Sequence, residues 1–85
     1  MEVGYKLIFI RQFGKLVPEL QDEVENTIRL LKDSKNHKKL KVRKLRGGLK
    51  DCYSCSVNYS HRILFVYEGK KQITLIAVGD HSVYQ

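Results

Sequence analysis

The apolar residues Tyr5, Leu7 and Phe9 alternate with Lys6 and Ile8, a period of two that predicts a short first strand from about Tyr5 to Ile10. Phe13 and Leu16, three residues apart, predict a helical turn after it. Pro18 then suits the first turn of a second helix, where its missing N–H costs nothing, and Glu19, Asp22 and Glu23 complement the positive end of the dipole. That helix is expected to reach about Asp33. Its apolar residues Val17, Leu20, Val24, Ile28 and Leu31 step by three, four, four and three, so they share one face, with Gln21, Glu25 and Arg29 opposite.

Beyond the turn signal Gly47-Gly48 the period changes back to two. Tyr53, Cys55, Val57 and Tyr59 alternate with Ser54, Ser56 and Asn58, as in a strand with one apolar and one polar face. Arg62 to Tyr67 and Gln72 to Val78 are apolar on both faces and joined by Glu68-Gly69-Lys70-Lys71, which predicts a hairpin of two central strands. The order of elements is α+β: two N-terminal helices packed on one face of an antiparallel sheet of about four strands. The other face of the sheet is left for a ligand.

At 85 residues, with 42% hydrophobic and 29% charged side chains, the chain holds one folded domain, residues 1 to 85, and not a disordered segment. The longest apolar stretch, Ile73 to Val78 with Thr74 inside it, is far short of the roughly 20 residues that cross a bilayer. With no basic region before Leu7 to Ile10 and no small-residue cleavage site, the expectation is a cytoplasmic protein without a membrane partner.

Charge narrows the picture further. The net +7 is unevenly spread: residues 1 to 33 carry five basic and six acidic groups, 34 to 50 eight basic and none acidic, and 51 to 85 three of each. The excess lies in Lys35, Lys38, Lys39, Lys41, Arg43, Lys44, Arg46 and Lys50. Clustering of this kind is the footprint of a polyanion partner more than of a merely solvated loop.

Cys52 and Cys55 form one Cys-x-x-Cys with no second pair, and residues three apart on a strand point to opposite faces. They read as reduced structural thiols, with no metal and no cofactor called for. His37 reads as part of the basic surface. His61 and Arg62 are neighbours at the start of a strand and so face opposite sides. His81 lies in a polar terminal segment, Gly79-Asp80-His81-Ser82-Val83-Tyr84. There is no carboxylate pair of glycosidase type, no Gly-x-Ser-x-Gly elbow and no phosphate-binding glycine loop. What remains is Arg, Lys, His and Tyr. That set suits metal-independent phosphodiester cleavage of RNA, whose own 2′-hydroxyl is the nucleophile.

The chain resembles the RelE/ParE superfamily of type II toxins, and within it the RelE-like, Gly-x-His (YafQ-like) messenger-RNA endonucleases. The resemblance rests on Lys44-Leu45-Arg46-Gly47, on Tyr53 and the serine-rich strand after it, on His61-Arg62-Ile63-Leu64-Phe65, and on the ending Gly79 to Tyr84. It implies cleavage of mRNA on the ribosome, typically in the A site. It also implies silencing by an acidic cognate antitoxin, with operator DNA bound only through the antitoxin complex. By the same resemblance Arg62 stabilises the transition state, His81 is the main acid or base with His61 a second proton carrier, and Tyr84 orients the nucleotide. Lys44 and Arg46, with Lys41, Arg43 and Lys50, hold flanking phosphates. Two departures stand out: Tyr84 falls three residues after His81 where many relatives have four, and Ser54 and Ser56 occupy positions where well-known members carry lysines. The ParE-like branch, which inhibits DNA gyrase, and an RNA-binding module with weak catalysis are the alternatives.

Overall fold

The computed structural model describes residues 1–46 and 51–80; Gly47, Gly48, Lys50, His81 and Tyr84 lie outside the described residues. Five strands form one sheet in the order β1-β5-β4-β3-β2, with β1 Glu2–Tyr5, β2 Arg43–Lys44, β3 Tyr53–Ser56, β4 Arg62–Tyr67 and β5 Gln72–Gly79. Two helices, α1 Leu7–Gly14 and α2 Pro18–Leu31, pack on one face, so the fold is α+β as the sequence predicts.

The hairpin of β4 and β5 is central and antiparallel, and Gly69 closes its turn at a φ of 81°, a left-handed value that glycine adopts without strain. The sheet is mixed, however, because β1 runs parallel to β5, pairing Glu2 with Gln72 and Tyr5 with Leu75. The expected first strand over Tyr5 to Ile10 is a helix from Leu7 onward. Phe9 and Phe13, four apart, stack at 6.4 Å between ring centroids, whereas four residues along a strand would set them about 13 Å apart.

In α2, Val24, Ile28 and Leu31 are buried, and the Thr27 hydroxyl donates to the Glu23 carbonyl. Val17 precedes the helix as its cap and is exposed, one step outside the apolar stripe. The helices cover Ile63 and Phe65 of β4, Ile73, Leu75 and Val78 of β5, and Cys55 of β3. Alternation turns Ser54, Leu64 and Ala77, also buried, to the second face. A register shift at Leu64/Phe65 skips Ile76, and the Val78 N–H donates to Gln12 Oε1 (2.8 Å), tying α1 to β5. No described helix is long and apolar enough to cross a membrane.

Candidate phosphodiester-binding site

The second face of the sheet collects the chemistry. In the register, Ser56 of β3, Arg62 of β4 and Gly79 of β5 form one row, and Arg43 of β2, Ser54, Leu64 and Ala77 form the next. Arg43 therefore shares a face with Arg62, two strands across and one row along, or about 12 Å. Lys44 is opposite Tyr53, whose ring packs with Phe65 and Tyr67 on the helical face, so Lys44 does not join that row.

Arg62, Ser56, Lys41, Asn58 and Tyr59 line one open cavity of about 520 Å³. The guanidinium is oriented by backbone: Arg62 Nη1 donates to the carbonyls of Asn58 (2.9 Å) and His61 (3.1 Å). The turn that offers those carbonyls is itself braced. Asn58 Oδ1 accepts from the N–H groups of Ser60 and His61, both at 2.9 Å, and Val57 N–H donates to His61 O at 3.0 Å. Asn58 Nδ2 in turn donates to Glu23 of α2, linking the turn to the helical layer. An Asn bonded to the backbone two and three residues on is an Asx turn, which fixes the loop from its own sequence.

Lys41 reaches the cavity because Ser56 N–H donates to Leu40 O (2.8 Å), docking the middle of the basic segment on β3. Its φ of 56° lies in the left-handed region, an uncommon state for lysine that the flanking bonds from Lys41 N–H to Lys38 O and from Val42 N–H to His37 O enforce. The cavity thus offers two cations, a hydroxyl and an amide beside an aromatic ring, a donor set suited to phosphate oxygens next to a base.

The other expected residues distribute differently. His61 is half-buried with Nδ1 2.9 Å from Ser60 Oγ, does not line the cavity, and serves Arg62 through its carbonyl. His37, expected on the basic surface, is half-buried: Nε2 lies 3.0 Å from Leu31 O and Nδ1 3.4 Å from the Tyr67 hydroxyl. Since a carbonyl only accepts, Nε2 carries the proton and Nδ1 faces the phenol, so His37 joins the end of α2 to β4. Burial raises the Tyr67 phenol above its ordinary value, with smaller contributions from Tyr53 and Cys55. Arg46 is exposed beyond β2.

Two expectations about β3 change. Ser54, assigned to a polar face, is only 2% exposed, and Tyr59, assigned to an apolar one, is 97% exposed. The strand ends at Ser56, so the alternation no longer governs residue 59. Tyr59 and Asn58 are the cavity residues that sequence reasoning missed; the signal available was the Asn-x-Ser-His run typical of an Asx turn. Cys52 and Cys55 are both unpaired thiols, and burial pushes Cys55 up to about 12. Among the described residues no His, Cys, Asp or Glu cluster could hold a metal ion.

Residues 18–85 match the model of the ParE-like toxin domain. No curated protein matches the sequence. Among solved structures the fold is similar to the toxin–antitoxin complex RelBE2 of Mycobacterium tuberculosis, at a TM-score of 0.77 and 17% identity over 94% of this chain and 96% of that one. It is also similar to YafQ of E. coli, at 0.79 and 14% over 98% and 96% of the two chains. The intact E. coli RelBE toxin-antitoxin complex aligns at 0.71 and 20% over 93% and 94%.

Proposed function

This chain belongs to the ParE-like toxin domain family, within the RelE/ParE superfamily of type II toxins, and from that premise we propose that it is an endoribonuclease that cleaves messenger RNA on the ribosome. The observation that carries the reading is Arg62, its guanidinium oriented by two carbonyls of a braced turn into a cavity shared with Lys41 and Ser56. A fixed cation at that place stabilises the extra negative charge that a phosphodiester gains on the way to its pentacoordinate transition state.

In the proposed step the 2′-hydroxyl attacks the adjacent phosphorus, the bond to the 5′-oxygen breaks, and a 2′,3′-cyclic phosphate and a free 5′-hydroxyl result. The proton leaving the 2′-oxygen and the one reaching the 5′-oxygen balance. His81 is assigned one of these transfers, and Tyr84 the orientation of the nucleotide, from the sequence motif; both lie outside the described residues. Lys41 and Arg43 hold flanking phosphates from the same side as Arg62. The proposed protein partner is an acidic antitoxin that covers this basic face.

The test is a cell-free translation reaction on a defined mRNA, with 5′ ends mapped by primer extension and the same RNA incubated without ribosomes. Arg62→Ala is expected to lower cleavage by roughly 10²- to 10³-fold and His81→Ala by at least about 10²-fold, with circular dichroism unchanged. Codon-registered cuts that vanish without ribosomes support the whole reading; cuts on free RNA keep the chemistry and remove the ribosome. The ParE-like description of the matched family favours one other reading, inhibition of DNA gyrase without RNA cleavage. Uncut mRNA together with loss of supercoiling by gyrase decides for it.

A further inference from the structure

An exposed tyrosine on a loop is ordinary in isolation. Tyr59 differs in three respects. Its residue is 97% exposed, the highest value among the exposed large hydrophobic residues, so the turn holds it out with almost none of its surface against the protein. The turn beneath it is braced by hydrogen bonds, with Asn58 Oδ1 bonded to residues 60 and 61 and Asn58 Nδ2 bonded across to Glu23. And it lines the same cavity as Arg62 and Lys41.

We propose that Tyr59 is a stacking platform for the nucleobase next to the phosphate held by Arg62, a base-binding subsite of this protein. The proposal rests on the ribonuclease reading above and adds to it a determinant of substrate binding outside the terminal segment. A phosphate-binding guanidinium and an aromatic face on adjacent parts of one braced turn match the alternation of phosphate and base along a single strand. Stacking accepts any base, since each has a π-face, so the subsite confers preference for unpaired RNA more than for a particular letter. The Asn58 bonds matter because they fix the backbone from which the ring projects, so the loop itself loses little freedom when a base settles on the ring.

The chain contains no tryptophan, so Tyr59→Trp installs a single indole reporter at the subsite. The probe is a single-stranded RNA hexamer with 2′-O-methyl riboses, which cannot be cut by its own hydroxyl, and a matched abasic hexamer with the same phosphates. The indole of Tyr59→Trp is expected to be quenched by the RNA and not by the abasic strand. Tyr59→Ala should bind the RNA about tenfold more weakly than wild type and the abasic strand equally well, while Tyr59→Phe retains affinity. Equal losses on both strands, quenching by both, or no RNA binding by wild type overturns the proposal. Its failure is separable from that of the nuclease: if wild type and Tyr59→Ala cleave mRNA equally in the translation reaction, the nuclease stands and the subsite falls. Because residue 59 is so exposed, its variants are expected to unfold in urea as wild type does.

Discussion

Ser54 and Ser56 lie two residues apart on β3 and face the same side, yet the fold treats them differently. Ser54 is 2% exposed, whereas Ser56 is half-buried and lines the Arg62 cavity. Ser54→Lys forces an ammonium into a packed site and is expected to cost on the order of 3 kcal/mol in urea unfolding. Ser56→Lys adds a cation at the cavity and should change stability by less than about 0.5 kcal/mol while strengthening RNA binding. If the two variants are equally stable, the burial ascribed to Ser54 is wrong. Cys55 gives a second residue-scale test. Its thiol is pushed from 9.0 to about 12 by burial, outweighing a backbone hydrogen bond with Ile63 and the charge of Arg62. The folded thiol stays neutral while the unfolded one ionises, so this contribution is complete below pH 9 and is lost as pH rises from 9 towards 12. Cys55→Ala should therefore show a shallower fall in stability than wild type between pH 9 and 11. Parallel slopes in urea titrations of the two proteins count against it. Of the site itself, Arg62, Arg43 and Lys41 were legible as cations in a suggestive order. Tyr59 was not, because its exposure depends on where β3 stops pairing, which alternation alone does not mark.

At the scale of elements, legibility followed the range of the forces involved. Helix α2 is written locally, in Pro18 and the spacing of Val24, Ile28 and Leu31, and the β4–β5 hairpin in a four-residue turn around Gly69. Two other features are not local. The parallel pair of β1 with β5 joins segments at opposite ends of the described chain with no connecting turn to announce it. Helix α1 shows period two over its first residues, and the structure resolves the ambiguity by burying Phe9 while leaving Leu7, Ile8 and Ile10 more than half exposed. A strand here would have required a partner edge, but the one beside β5 is already filled by Glu2–Tyr5. The energetic consequence is uneven along four consecutive residues. Phe9→Ala is expected to cost about 3–5 kcal/mol, since the ring packs on Tyr5 and Phe13 within the core. Ile8→Lys should stay within about 0.5 kcal/mol. Thermal or urea unfolding that finds Ile8→Lys the more damaging would count against the burial of Phe9 and the exposure of Ile8.

For the whole molecule, what matters is where the fold sends its charge. The sequence places eight cations in one run, but the structure divides that run between faces: Lys41 and Arg43 come to the side of Arg62, while Lys44 registers on the other. A second group of cations, Lys32, Lys70 and Lys71, surrounds a separate cavity of about 780 Å³ that also carries Glu2 and Asp33. The length of β4 separates the two groups, six residues or about 20 Å, beyond the screening length at physiological salt. Total charge therefore predicts RNA affinity less well than position does. If Lys41, Arg43 and Arg62 each neutralise one phosphate, they contribute about −2 to the slope of log affinity against log salt on a single strand. Replacing Lys41 and Arg43 with alanine should remove about 1.4 of that slope, whereas Lys70→Ala with Lys71→Ala, an equal change in net charge, should leave it unaltered. Filter binding of the uncleavable RNA hexamer from 50 to 300 mM salt distinguishes the cases. Equal effects from the two double variants would mean that the protein attracts RNA through its overall field and that the cations on the side of Arg62 are not a site.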